Sequence, residues 1–472
     1  MLKRISNLVV FIALLLIAFL LVVRIPKVTA QGLQEFVPND PKYSSTWAHQ
    51  LDLPLAWAEM QRIEQTTGPV GPDAVVLVFD GWINASHPDL SGHVLTQYNV
   101  DYTGEPTYEQ QNHDHGSQVA SVIIAGTNNG IGPTSVAGLS SHVKIVSVKI
   151  SATNGTVGSP YPGFQYALDL KNQGVNVVAI NCSFGGGGDD TATTRQWLQR
   201  LKAQGIYVFA AAGQQAGGGN LDTNTQLYPA QYGADFDSNV VAVAALDTDG
   251  VSISANSNFG PNTVAVAAPG VNVPVVSTLD PINGSANASG TSESAPEAAA
   301  AYALIRVYKE PDPFKAALRL KMGAVMLPNL FGKVGYGRVD VYNSLTMASP
   351  PSTLALLTEP NSNRALAFES PTMSAGSFPL HNDLTLGTDT NTRVMLFAMN
   401  LDLQPGETAS AVTAQTQGGI QLPVESVLPV PNLPWLKQVI VKLPNGLASP
   451  GDISISITAH NITSNQGIIS IR

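Results

Sequence analysis

From about Gly71 to Leu304 the chain alternates short apolar runs with stretches whose apolar residues recur at helical spacing. "AVVLVF", "VKIVSVKI", "VNVVAIN", "GIYVFAAAG" and "NVVAVAAL" are almost free of polar positions. Such runs predict strands of a parallel sheet buried on both faces. Between them, "GSQVASVIIAG", "PGFQYALDLKNQG" and "TTRQWLQRLKAQG" predict helices, with Gly after the last two where a helix would stop. The implied class is α/β, a mostly parallel sheet covered by helices.

After Tyr342 the pattern changes. "ASPPSTLALLTEPNSN" is rich in Pro and Ser, and residues 346–360 read as a linker. Beyond it, "RVMLFAMNL", "KQVIVKL" and "DISISITAHNITSNQGIISIR" are strand-like and separated by Pro, Gly and Asn. Ile453, Ile455 and Ile457 alternate with Ser454, Ser456 and Thr458, the period of a strand with one buried face. A separate all-β sandwich over residues 361–472 is expected, following a first domain over 31–345.

The N-terminus supplies a third segment. Lys3 and Arg4 precede an apolar run from Leu8 to Val23, followed by Val28-Thr29-Ala30, a small-residue cleavage pattern. Residues 1–30 read as a secretory signal. The alternative is an uncleaved membrane anchor, for which the run is slightly short of the ~20 residues of a spanning helix. Both readings place the rest of the chain outside the cytoplasm. Cys182 is the only cysteine, so no internal disulfide can form, and its place in an apolar run reads as a small core residue. With a net charge of −10 and no Lys/Arg cluster, nucleic acid is excluded as a partner.

Three stretches at strand ends or helix starts carry an acid, a base and a nucleophile: "VLVFDGWINASHPDL" with Asp80, "QNHDHGSQVASVIIAG" with His115, and "ASGTSESAPEAAAAYAL" with Ser292. Acyl transfer by serine needs all three, the carboxylate orienting the base that removes the hydroxyl proton. In open α/β sheets, strand carboxyl ends and helix N-termini are where such groups converge. Taken alone, Ser292 reads better as part of an ordinary helix cap.

Here the chain resembles the subtilisin-like serine peptidases, in which Asp, His and Ser follow in that order. Their patterns Asp-Thr/Ser-Gly, His-Gly-Thr-His-Val-Ala and Gly-Thr-Ser-Met-Ala-x-Pro are matched by Asp80-Gly81-Trp82, His115-Gly116-Ser117-Gln118-Val119-Ala120 and Gly290-Thr291-Ser292-Glu293-Ser294-Ala295-Pro296. "INCSFGG" and "GYGRVDVYNSL" extend the likeness, which covers about Val37 to Leu345. The resemblance implies a subtilisin-like fold and an extended peptide or protein substrate pairing with the backbone of Ser183, Phe184 and Gly185. It also implies a monomer, and catalysis without a cofactor.

The departures bear on activity. Where the family has an oxyanion-stabilising Asn, "AAAGQQ" puts Gln214, which keeps the amide but moves it by one methylene. Glu293 replaces an apolar Met beside the nucleophile and is expected to raise the pKa of His115. Gly81 and Trp82 remove a hydroxyl near Asp80 and crowd the next position. Gln118 and Glu297 replace two histidines outside the triad. The residues between Ala30 and "FVPNDPKYSS" are too few for the family's inhibitory prodomain.

"SHPDL" with "TNNGIGP" resembles the family's calcium site, which implies Asp89 and Asn129 side chains and the carbonyls of Thr127, Ile131 and Pro133 around a structural Ca2+. A plain Asn/Gly turn is the competing reading. The C-terminal module resembles the Ig-like domains appended to secreted bacterial proteins. Two functions follow: a secreted serine endopeptidase, or a degenerate member that binds extended peptides and turns them over slowly or not at all.

Overall fold

The computed structural model describes residues 33–472 except 105–113, 153–154, 187–190, 224, 236, 278–284, 348–352, 360–361, 371, 383–387, 431–432 and 448–449. The N-terminal segment expected to act in export lies outside the described residues. Two compact units are present, one ending at Pro350 and the other running from Pro351 to Arg472.

The first unit opens with a short helix, α1 (Ser45–Gln50), and a longer one, α2 (Leu53–Thr66). Its sheet contains β1 (Ala74–Asp80), β2 (Val100–Asp101), β3 (Val143–Lys149), β4 (Val177–Cys182), β5 (Tyr207–Ala211), β6 (Val240–Leu246), β7 (Val264–Pro269) and, after the hairpin β8 (Val273–Val276) and β9 (Ser285–Ala288), β10 (Gly337–Arg338). Helices α3 (Asp114–Ile124), α4 (Tyr161–Asn172), α5 (Ala192–Ala203), α6 (Thr291–Tyr308), α7 (Pro313–Gly323) and α8 (Val341–Thr346) complete it. The eight strands run β10-β7-β6-β5-β4-β1-β3-β2, and every pair is parallel.

The apolar runs fold as their pattern predicts. Every residue of β1, β4, β5 and β6 is buried. A strand with helices on both faces has no water-facing side, which is why these runs do not alternate. Each buried Val, Leu, Ile or Phe contributes about 1.5–3 kcal/mol relative to exposure. From β1 the chain crosses to the edge strand β2, comes back inward to β3 beside β1, then passes to the other side of β1 with β4. The strand order therefore reverses between β1 and β4, the crevice where doubly wound sheets hold ligands.

Helix α6 is central and almost wholly buried. Its small residues, Ala295, Ala298 to Ala301 and Ala303, let the backbone lie close on the sheet and on α3.

The second unit holds β11 (Ala355–Leu356), β12 (Ala367–Ser370), β13 (Arg393–Met399), β14 (Val412–Thr416), β15 (Gln421–Leu422), β16 (Val424–Val430), β17 (Leu433–Lys442), β18 (Gly451–Ala459), β19 (Ile462–Thr463) and β20 (Gly467–Ile471). They form two antiparallel five-stranded sheets, β11-β13-β17-β16 with β12 on β13, and β15-β14-β18-β19 with β20 on β18. Val394, Leu396, Val439 and Val441 of one sheet share a core with Ile455, Ile457 and Ile469 of the other. The buried face of β18 is Ile455, Ile457 and Ala459, while Ile453 is half-buried near the strand start. One boundary differs from expectation. Ala355 and Leu356, read as linker, pair with Met399 and Ala398 of β13, because a Leu-Ala-Leu run inside the Pro/Ser stretch is apolar enough to add an edge strand.

Candidate active site

Parallel register brings the ends of β1, β4 and β5 to one edge of the sheet, where Phe79 lies beside Cys182 and Cys182 beside Ala210. Asp80 closes β1 with 3% of its surface exposed. Its Oδ1 accepts the Gly81 N–H at 2.7 Å, so the carboxylate keeps a backbone donor despite Gly81 replacing a hydroxylated residue. His115, in the first turn of α3, places Nδ1 2.8 Å from Asp80 Oδ1 and 3.0 Å from Oδ2. That bond puts the proton on Nδ1 and leaves Nε2 as the basic nitrogen. The ring keeps 48% of its side-chain surface open.

Ser292 stands in the first turn of α6, and the local sequence explains how it is held. Pro296 has no N–H, so the Ser292 carbonyl has no donor four residues on. Ser183 supplies one: its Oγ donates to Ser292 O at 2.7 Å and receives the Asn181 amide at 3.0 Å. In return Ser292 Oγ donates to Ser183 O at 3.0 Å. Among the described residues Ser292 and His115 share no hydrogen bond. For His115 to take its proton, the Ser292 hydroxyl must turn from Ser183 O toward Nε2.

Ser183 follows β4 directly, and Phe184 and Gly185 make no backbone hydrogen bonds among the described residues. They offer an unpaired edge beside Ser292. On the other side, Gly213 after β5 donates its N–H to Thr291 Oγ1 at 3.0 Å. Gln214 is exposed and reaches Gly290, where an added Cβ would come within 2.8 Å of Gln214 Oε1 and 3.0 Å of Glu293 Oε2. The Gln214 amide and the Glu293 carboxylate thus converge over Gly290, next to the N–H groups that open α6.

The family model for subtilases (peptidase S8) matches residues 71–334, more than half of the chain. The chain belongs to the subtilase family. Thermitase of Thermoactinomyces vulgaris is 30% identical over 274 residues, 57% of this chain and 85% of that protein. Subtilisin DY of Bacillus licheniformis is 32% identical over 276 residues, 58% of this chain and 90% of that protein. A solved protease from Pseudoalteromonas arctica aligns at 23% identity and a TM-score of 0.49, covering 65% of this chain and 98% of that one.

Two carboxylates are buried in the first turns of α6, beside and beyond Ser292. Glu293 is only 3% exposed; burial pushes its carboxyl up to about 7, partly offset by the charge of His115 and a bond from its own N–H. Burial opposes a charge on His115, but the charge and hydrogen bond of Asp80, with the charge of Glu293, overcome it and raise the imidazole to about 9. One turn further, Glu297 is fully buried, and burial drives its carboxyl well above the usual range. Its Oε1 accepts Trp47 Nε1–H at 2.5 Å, and its Oε2 has no partner. The tie between Trp47 of α1 and Glu297 was not foreseen from sequence. The signal was a Trp in the N-terminal approach and a carboxylate inside an alanine-rich helix.

The residues expected at a calcium site lie on two neighbouring loops, where Asp89 meets Asn129 and Gly132. Asp89 is 1% exposed, and its Oδ2 has no partner. Burial raises its carboxyl to about 7 against the Asn129 amide, which donates to Oδ1 at 2.8 Å. The carbonyl oxygens of Thr127, Ile131 and Pro133 accept no hydrogen bond among the described residues. The orphaned Asp89 oxygen and these carbonyls are hard oxygen donors of the kind Ca2+ takes, whereas Asn129 Oδ1 accepts the Ile131 N–H at 3.0 Å and must release it to join them. Asp40, unforeseen from sequence, braces the loop by accepting N–H bonds from Asn128, Asn129 and Gly130 at 2.6, 2.9 and 3.1 Å.

Proposed function

We propose that this chain is an exported serine endopeptidase that cleaves extended peptides through an acyl-enzyme. The observation that carries the reading is the Asp80–His115 pair across the sheet's switch point from Ser292, flanked by the backbone of Phe184 and Gly185, which is unpaired among the described residues. A substrate strand pairs with Ser183, Phe184 and Gly185 and brings its carbonyl to Ser292 Oγ. His115 Nε2 takes the hydroxyl proton as Oγ attacks, and Asp80 stabilises the imidazolium. The Gln214 amide and the Ser292 N–H face the oxyanion. His115 then protonates the leaving amine, and water repeats the sequence to release the acyl group.

Asp89, Asn129 and the three carbonyls hold a structural Ca2+ that fixes their loop and takes no part in the reaction. Residues 1–30 direct export, and the protein works as a monomer. The C-terminal unit, a pair of antiparallel sheets, acts as an Ig-like spacer or adhesion module.

A second reading, a peptide-binding member with little or no turnover, is favoured by the Ser292 hydroxyl bonding Ser183 O and by the buried Glu293 carboxylate. Fluorophosphonate labelling of residues 31–472, with Ser292→Ala as control and the adduct located by mass spectrometry, separates the two. An adduct on Ser292 supports the peptidase; folded protein without one supports the binding module.

A further inference from the structure

Two glycines stand on either side of Ser292, on the segments that leave β4 and β5, where a substrate residue before the scissile bond could place its side chain. Gly185 lies two residues after Ser183, whose carbonyl holds Ser292 Oγ. Gly213 is bonded through its N–H to Thr291, next to the nucleophile. The two segments leave adjacent parallel strands, β4 and β5, one bonded to Ser292 and the other to Thr291, and the space between their two glycines is the slot considered for that side chain. A chain paired with the edge at Ser183 to Gly185 points alternate side chains away from the strand plane, one of them into this slot.

The slot already contains a side chain of the protein. A Cβ added at Gly185 would meet Leu227 Cδ2 and Cγ at 2.7 Å and Cδ1 at 3.1 Å, and one added at Gly213 would also run into Leu227 Cδ2. Leu227 therefore reaches from one glycine wall to the other. Its backbone is held on both sides. The next residue, Tyr228, exchanges hydrogen bonds with Gly186, N–H to O at 2.8 Å and O from N–H at 3.1 Å, and Leu227 O accepts from Gln231 N–H at 2.8 Å. Leu227 is half-buried, so one face of it remains open.

We infer that Leu227 is the floor of the specificity slot and restricts the residue preceding the scissile bond to a small one, glycine or alanine. This rests on the peptidase reading of the same site and names its substrate class. A large apolar side chain would have to displace an anchored leucine between two backbone walls, while a methyl group reaches only its exposed face. Small differences in such pockets change selectivity by about 10- to 200-fold per methylene.

The test compares fluorogenic peptides differing only in Ala or Phe before the cleaved bond, with wild type, Leu227→Ala and Leu227→Gly. Wild type is expected to favour Ala by at least about 10-fold in kcat/KM, and the Phe-to-Ala ratio to rise at least about 10-fold in Leu227→Gly, with Leu227→Ala between. Equal use of both peptides by wild type, or an unchanged ratio in the glycine variant, overturns the inference. In parallel, equilibrium binding of the same labelled peptides is measured on Ser292→Ala with and without the Leu227 changes, each variant first checked by thermal melting. If wild type hydrolyses nothing but the binding ratio shifts with Leu227, the peptidase reading fails and the slot stands. Neither hydrolysis nor binding of any peptide overturns both. If Leu227→Gly does not fold, the Leu227→Ala ratio decides.

Discussion

Replacing Glu293 by glutamine tests the charge balance at the base directly. In wild type His115 lies under the influence of two carboxylates, Asp80 and Glu293, and is raised to about 9. For unit charges about 5–7 Å apart, Coulomb's law at an effective dielectric of 20 gives about 2–3 kcal/mol. Because 48% of the His115 side chain is exposed, solvent screening reduces that to roughly 1–1.5 kcal/mol, or about one pH unit. His115 acts as a base only when neutral, so the acidic limb of kcat/KM is expected near pH 9 in wild type and about one unit lower in Glu293→Gln. At pH 7 this raises the neutral fraction from about 1% to about 10%, a tenfold gain in kcat/KM that fades above the wild-type limb. A pH series from 6 to 10.5 with one fluorogenic peptide at constant ionic strength reads the limb, and NMR titration of the His115 ring reads the same constant without turnover. A wild-type limb below 7.5, or one that Glu293→Gln leaves in place, would refute the reasoning.

Stability carries the opposite signature of the same carboxylate. Its folded pKa, about 7, lies above the ordinary glutamate value of 4.5. The contribution is therefore complete below about 4.5 and lost as pH rises through 7. The melting temperature of Glu293→Gln minus that of wild type is expected to grow across this window, and a flat difference would contradict the burial of the charge.

Two further expectations concern the rim of the site and the loop beyond it. Gln214→Asn shortens the amide arm by one methylene and is expected to raise kcat at least about tenfold with KM little changed, since a well-placed oxyanion donor is worth about 10²–10³; an active enzyme with unchanged kcat would show that Gln214 already reaches the oxyanion. Calcium at 100 times its dissociation constant is expected to stabilise the wild-type protein by about 2.7 kcal/mol. Asp89→Asn should remove most of that gain, and an equal rise in melting temperature in both proteins would place the ion elsewhere.

Much of the fold was legible because fully buried parallel strands leave an unambiguous mark. With both faces covered, β1, β4, β5 and β6 retain almost no polar positions, and their sequence period disappears. The alternation of Ile455 and Ile457 with polar residues identified a one-sided strand in the same way. The short strand Ala355–Leu356 escaped because two residues carry no period, and its neighbours are Pro and Ser. Asp80, His115 and Ser292 were legible through chain order and local motif, since each stands at the strand end or helix start that its own segment creates.

Sequence by itself therefore determined the class of fold, the three groups of the proposed triad and the presence of Glu293 beside the serine. All of these depend on residue type and local period. Only the tertiary structure decided that Ser292 rests on Ser183, that Trp47 meets Glu297 across 250 positions of chain, and that Leu227 fills the slot between Gly185 and Gly213. These contacts join segments far apart in the chain, and their geometry is set by how the strands of one sheet stack beside α6. A local pattern records which face of a segment is buried; it does not record what that face meets.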